Sequence, residues 1–324
     1  MDKKVSPSKG KEGMELHSLG TTDLQVSSLG LGTVQIGMPY GIGQPAPPSD
    51  RDCIHLLQEA FSRGIHFFDT AAAYGRSEEL VGRAFSGGSQ RPTIATKATI
   101  VHPQTSAPLR GQSLKKHLEE SVRRSLERLK CEALDLLQIH NTEPNWLQED
   151  LFEKLGDLVD RGLVRNWGAS TYDIEAPLAV LARGRTCCSL QVAYSLLDRR
   201  LEREVLPTCQ EMGMGTIFRS VFLQGVLSDR LHQLPSHLNP LREAAIEAEK
   251  LAEGMGISLP ELAFRYVAHS PFGDVTLFGT TSSEELQENL AAFSAGPLPA
   301  DVIRNIAAIE VADQRLLSPA NWDI

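Results

Sequence analysis

Nowhere do the 324 residues hold an apolar run approaching the roughly 18 residues that a membrane helix needs. The N-terminus, MDKKVSPSKGKEGMEL, is polar and lacks the apolar core of a secretory signal. A cytosolic location is expected, with a flexible tail over residues 1–14. Basic residues are the minority, 32 Lys and Arg against 41 Asp and Glu, for a net charge of -9. That balance excludes a general nucleic-acid binder and a polybasic membrane anchor, while leaving room for a local phosphate pocket. Cysteines are few: Cys53, Cys131, Cys187, Cys188 and Cys209, with no C-x-x-C pair. Their number is odd, and a bridge between neighbouring Cys187 and Cys188 would be strained. All five are expected as free thiols in a reducing compartment. No His-x-His or His/carboxylate cluster falls at a strand end, so no metal is expected. Glycines after the first strand, in GLGTVQIG, do not match the G-x-G-x-x-G phosphate loop of an open dinucleotide-binding sheet.

What is present is a repeating order of strands and helices. Short apolar runs predict strands at 28–33, 65–69, 93–98, 134–140, 164–170, 189–194, 215–220 and 275–280. They show little alternation, as strands covered on both faces require. Helical patterns fit 50–63, 77–85, 114–129, 151–161, 174–183, 201–212, 241–254, 258–269 and 284–293. In the third, Leu114, Leu118, Val122, Leu126 and Leu129 form one apolar stripe. Gly64, Gly162, Gly184 and Gly213 fall where helices should stop. Eight strand-helix units over roughly 250 residues describe a (β/α)8 TIM barrel. Upstream, two short strands around Thr22 and Asp23 predict an N-terminal β-hairpin plugging the barrel bottom. Residues 15–324 read as a single barrel domain.

Barrel enzymes place their chemistry where strands end. The second predicted strand ends in Asp69, with Tyr74 on the loop after it. Lys97 lies near the end of the third, where an unpaired ammonium would be costly to bury. Asp69, from the adjacent strand, is its expected partner. His140 ends the fourth. Each residue alone has an ordinary reading: a helix cap, a structural ion pair, a hydrogen-bonded histidine. Successive strands delivering all of them to one face favour chemistry. A free tyrosine has a pKa near 10, and a nearby ammonium is expected to lower it. Tyr74 then serves as proton donor to a carbonyl, Lys97 tunes it, Asp69 holds Lys97, and His140 orients the carbonyl oxygen.

Several segments together resemble the aldo-keto reductase superfamily: HFFDTAAAYGRSEELVGRAF (66–85), ATK (95–97), DLLQIHN (135–141), RNWGAS (165–170), IFRSVFLQGVL (217–227) and FGTTSSEELQENL (278–290). The resemblance covers roughly residues 15 to 295. It implies reduction of an aldehyde or ketone to an alcohol, or the reverse, with hydride from NADP(H), the favoured cofactor, or from NAD(H). It implies the tetrad Asp69, Tyr74, Lys97 and His140. It places Ser170 and Gln191 at the nicotinamide carboxamide and Arg219 where many members stack an aromatic ring. It sets Ser220, Phe222, Leu223, Gln224 and Gly225 under the pyrophosphate. Gly279, Thr281, Ser283, Glu285, Glu288 and Asn289 surround the adenosine, and Gly32, Thr33 and Asp69 complete the pocket. Three residues depart from the pattern: Thr171 where the family commonly has Asn, Arg219 in place of a ring, and Gly279 with Glu285 where NADPH-selective members carry basic residues. Arg219 is expected to favour the reduced cofactor, because its charge sits beside a ring that is positive when oxidised.

Long loops at 38–50, 101–113 and 227–240 should select the substrate. Tyr40, Tyr74, His140 and Trp146 are candidates for its pocket. Two other functions fit some of the residues: a non-enzymatic NADPH-binding or sensing subunit, and a Schiff-base lyase using Lys97. The segment from Pro297 to Ile324 is expected to close over the barrel or to meet a partner.

Overall fold

The structure, a computed structural model, describes residues 14–43, 46–88, 90–184 and 187–322. The tail expected at the N-terminus lies, up to residue 13, outside the described residues. Two short antiparallel strands, β1 (Leu16–Ser18) and β2 (Gln25–Ser27), come first. Eight strands follow: β3 (Leu29–Gly32), β4 (Phe67–Asp69), β5 (Thr93–Ala98), β6 (Leu134–Thr142), β7 (Val164–Thr171), β8 (Ser189–Ala193), β9 (Gly215–Arg219) and β10 (Val275–Gly279). They close into one parallel barrel in the order β10-β3-β4-β5-β6-β7-β8-β9. This is the (β/α)8 architecture the alternation predicts, with strand ends within about two residues of expectation.

The β1–β2 hairpin seals the bottom. Leu19, Leu24 and Val26 pack against Phe67, Ala95, Leu136, Ile217, Val275 and Leu277 inside the barrel. Such layers of apolar side chains make the barrel interior a core rather than a pore. The fit is tight at Gly20, which sits at φ +53 with an imagined Cβ only 2.3 Å from the Gly215 nitrogen. Only glycine meets both demands.

A ring of helices covers the outside. The short α1 (Val34–Gly37) is followed by α2 (Asp50–Ser62), α3 (Ser77–Phe85), α4 (Gly111–Leu129), α5 (Glu149–Asp160) and α6 (Glu175–Leu181). After them come α7 (Val205–Met212), α8 (Asn239–Gly254), α9 (Leu259–Ala268), α10 (Ser283–Ser294) and α11 (Ala300–Ala307). Side-chain caps start several of them: Ser49, Ser258 and Ser282 accept from the amides of Asp52, Glu261 and Glu285. Gly64, Gly162, Gly184 and Gly213 all take positive φ at helix ends, as expected.

Two expectations need correction. The helix expected over 201–212 is broken into a 3-10 turn, Arg200–Arg203, and α7, with Glu204 non-helical between them. Pro207 explains this, because it has no N–H for the preceding turn and is tolerated only near a helix start. The loop 227–240 is not structureless: it holds two 3-10 turns, Asp229–Gln233 and Ser236–Leu238. The C-terminal segment packs on its own helices. Val302, Ile306, Ile309, Val311, Leu317 and Trp322 join Leu241, Ala245 and Leu262 in a second apolar cluster outside the barrel. Among the described residues no helix is long and apolar enough to cross a membrane. The five cysteines are free, and Cys53, Cys187 and Cys209 are buried.

Candidate active site

Asp69 is the last residue of β4, and its backbone is fixed from the neighbouring strand. Both the amide and the hydroxyl of Thr33 donate to its carbonyl, at 3.0 and 2.9 Å. Its carboxylate is then filled from three further strands. Lys97 Nζ on β5 donates to Oδ2 at 2.5 Å, and Gln191 Nε2 on β8 donates to Oδ1 at 2.7 Å. Gln138 Nε2 on β6 approaches the same oxygen at 3.3 Å. Lys97 also donates to the Thr70 carbonyl at 3.1 Å, and its side chain is 0% exposed. A charge pair this dry persists only because both partners are so fully bonded.

Tyr74 and His140 stand beside this pair. Lys97 Nζ lies 4.9 Å from the centre of the Tyr74 ring. The Tyr74 and His140 rings meet edge to face, with centres 5.7 Å apart. His140 is turned inward by an irregularity in β6: the register shifts between Ile139 and Thr142, and Asn141 takes a left-handed φ of 51. Tyr74 is held by its own turn, its amide donating to the Ala71 carbonyl and its carbonyl accepting from the Ser77 amide.

Burial dominates the electrostatics. The Tyr74 phenol is pushed above the ordinary tyrosine value, first by burial and then by Asp69, with Arg219 opposing. This corrects the expectation that Lys97 lowers it: the ammonium is already matched by Asp69. His140 is pulled from 6.5 to about 3 by burial, then by Lys97 and Arg219, so its imidazole is neutral at ordinary pH. Burial also draws Lys97 below the usual lysine range, and Asp69 pulls it back. Tyr40 is pushed up to about 12, chiefly by burial.

A cavity of about 980 Å³ opens from this mouth and runs over β9 and β10 toward α9 and α10. Of the residues singled out from sequence, it is lined by Gly32, Thr33, Tyr40, Asp69, Tyr74, Gln191, Arg219, Ser220, Phe222, Gln224, Gly225, Gly279, Glu285, Glu288 and Asn289. Ser170, Leu223, Thr281 and Ser283 are not on its walls, nor are Lys97, His140 and Trp146. Ser170 is buried in β7 opposite Gln191, and Leu223 belongs to the outer apolar cluster. Ser283 points elsewhere, its hydroxyl donating to Glu59 at 2.5 Å. Trp146 packs on the core and its carbonyl accepts from Arg110. Under the cavity the backbone is irregular: Ser220, Leu223, Gln224 and Gly225 all take positive φ.

Sequence reasoning missed Gln138 and Tyr172. Gln138 is as out of place in the apolar run LDLLQIH as Lys97 is in its own strand, so a signal existed. Tyr172 carried none. The Arg219 guanidinium lies 3.9 Å from its ring centre and donates to the Thr171 carbonyl and to Ser220 Oγ.

Among the described residues, seven buried side-chain polar atoms have no hydrogen-bond partner, and four are at this mouth: Gln138 Oε1, His140 Nδ1, Thr171 Oγ1 and Gln191 Oε1. Unpaired buried polar atoms are costly, so their clustering marks a place built for a ligand. Among the same residues, no group of three or more His, Cys, Asp or Glu side chains is arranged to hold a metal ion.

Comparison with known proteins agrees with this geometry. The Aldo/keto reductase family model matches residues 28–311. An uncharacterized oxidoreductase of Bacillus subtilis, YqkF, is 28% identical over 90% of this chain and 95% of its own. The aldo-keto reductase YhdN of the same organism is 27% identical over 85% and 87%. Among solved structures, the holo form of aldo-keto reductase AKR11C1 from Bacillus halodurans superposes with a TM-score of 0.74 at 27% identity, covering 94% of this chain and all of that one.

Proposed function

The chain belongs to the aldo/keto reductase family, and from that premise we propose that it interconverts an aldehyde or ketone and the alcohol, using a nicotinamide cofactor. The observation that carries the reading is the buried Lys97–Asp69 pair set against Tyr74 and His140 at one barrel mouth. The cavity fits the cofactor. Gln191 offers an unpartnered amide oxygen suited to a carboxamide N–H, and the irregular backbone from Ser220 to Gly225 lets a pyrophosphate approach closely. When bound, the nicotinamide supplies hydride to the carbonyl carbon.

The protein's own residues manage the oxygen. Tyr74 keeps its proton at neutral pH because burial disfavours the phenolate. It gives that proton to the carbonyl oxygen as negative charge develops there. General acid help of this kind is worth about 100- to 10,000-fold. Arg219, the cation that opposes the raised Tyr74 value, favours the phenolate left behind, and Lys97, 4.9 Å from the ring, packs against it. His140 stays neutral and holds one N–H for the same oxygen, which fixes the direction of the carbonyl. Asp69 keeps Lys97 charged and in place. Lys97 is thus committed to positioning, which disfavours a Schiff-base role.

Oxidation of NADH and NADPH against a panel of aldehydes, with Tyr74→Phe as control, tests the proposal. Turnover by the wild type and its near-complete loss in the variant support it. Full activity in the variant overturns the assignment of Tyr74, and nucleotide binding without turnover of any aldehyde points to a sensing subunit instead.

A further inference from the structure

The two ends of the cavity differ in charge. At the mouth, fully buried Gln191 has its Oε1 unpartnered beside Asp69 and Tyr74. At the far end the walls carry Glu249, Glu253, Glu261, Glu285 and Glu288, and among the described residues of the lining the arginines are Arg219 at the mouth and Arg230. Arg230 sits midway: its Cδ is 3.6 Å from where Gly225 would carry a Cβ, and its Nη1 donates to the Ile42 carbonyl at 2.9 Å.

A helix start normally offers free amides to a phosphate. At the start of α10 one of these amides is already taken and a carboxylate of the protein stands beside the rest. Glu285 folds back over it, its Oε2 accepting from Thr280 Oγ1 at 2.6 Å and from the Thr281 amide at 3.4 Å. Ser282 Oγ accepts from the Glu285 amide. An anion approaching the helix start therefore meets the protein's own carboxylate beside it.

We propose that this far end selects the nucleotide that lacks a 2′-phosphate, so that the protein prefers NAD(H) over NADP(H), with Glu285 as the specificity-determining residue. The inference rests on the function proposed above. A dinucleotide with its nicotinamide at Gln191 puts its adenosine at the far end. A ribose 2′-hydroxyl there finds carboxylate acceptors, the chemistry by which an acid recognises NAD elsewhere. A 2′-phosphate meets like charge instead. The pyrophosphate, common to both cofactors, lies at Gly225 and takes Arg230 for itself. This departs from the NADP(H) preference that the family resemblance favours.

Calorimetric titration of the full chain with NADH and NADPH tests this, alongside ADP-ribose and its 2′-phosphorylated form. NADH should bind at least about tenfold more tightly, a difference of about 1.4 kcal/mol. The gap should narrow as salt rises, because screening weakens exposed repulsion. Glu285→Gln keeps an acceptor for Thr280 and Thr281 but removes the charge. It should shift the ratio of NADPH to NADH affinity toward NADPH by about threefold, the size of one exposed charge interaction. Glu288→Lys, which takes no part in the cap, should act in the same direction. Equal or tighter binding of NADPH by the wild type overturns the inference, as does a ratio unmoved in both variants. Failure of both nucleotides and both fragments to bind overturns the proposed function itself, and this with it.

Discussion

Both ends of the barrel set carboxylates between strands, and they treat them differently. At the floor, Asp135 accepts from the Ile94 amide at 3.1 Å and pairs with Arg91 and with Arg165. Asp274 accepts from the Thr216 amide at 2.8 Å, and its carbonyl meets His17 of the hairpin. These acids tie strand beginnings together, and neither leaves an orphaned atom. At the mouth, Asp69 is just as fully bonded, but the groups that bond it are not. Gln138 and Gln191 each turn an N–H toward Asp69 and leave an oxygen unpaired. Leaving such an atom unpaired costs about 1–3 kcal/mol. The floor is arranged to hold the barrel closed. The mouth accepts instability that a bound ligand would relieve.

The contrast can be tested at both ends. Tyr74→Phe should have the largest effect, slowing carbonyl reduction about 100- to 10,000-fold while leaving the urea unfolding midpoint unchanged. Lys97→Met should also abolish turnover. In addition it strands a buried carboxylate, so unfolding should become easier by about 3–5 kcal/mol. Asp135→Asn is the counterpart at the floor. It should lose about 1–3 kcal/mol of stability and keep its kcat. A kcat loss as large as that of Lys97→Met would erase the distinction between the two ends.

The pH response of His140 is a smaller effect. Its folded pKa is depressed to about 3 from 6.5. Between those values the unfolded chain binds a proton that the folded chain refuses. The wild type is therefore fully stable above about pH 6.5 and loses stability as pH falls below it, by up to about 1.4 kcal/mol per pH unit. His140→Gln should lose less between pH 7 and pH 5 in parallel urea titrations. Smallest of all, Thr171→Val removes an orphaned hydroxyl at constant shape, so stability should hold or rise by about 1 kcal/mol. A clear loss would show that this oxygen has a partner in solution.

The architecture was legible in the sequence because its signals are local. Continuous apolar runs mark the strands, and a charge inside one, as at Lys97, marks the mouth. The glycines that end helices are equally local. What escaped depends on closure. Arg219 reaches Tyr172 only because β7 and β9 are brought together on either side of β8. The direction of the Tyr74 shift could not come from pairwise reasoning on Lys97, since burial outweighs any single neighbour. The turn of Ser283 toward Glu59 depends on α10 lying against α2, which no motif encodes. Pro207, by contrast, was visible all along and simply outweighs the helical pattern around it.

The Asp69–Gln191 hydrogen bond joins residues 122 positions apart, across the barrel from β4 to β8. Loops that long close slowly and late, after local helices and neighbouring strands have formed. No half-barrel can therefore carry the assembled mouth. During refolding, helical signal should return before catalytic competence, and the delay between the two measures the time the last strands take to shut the ring.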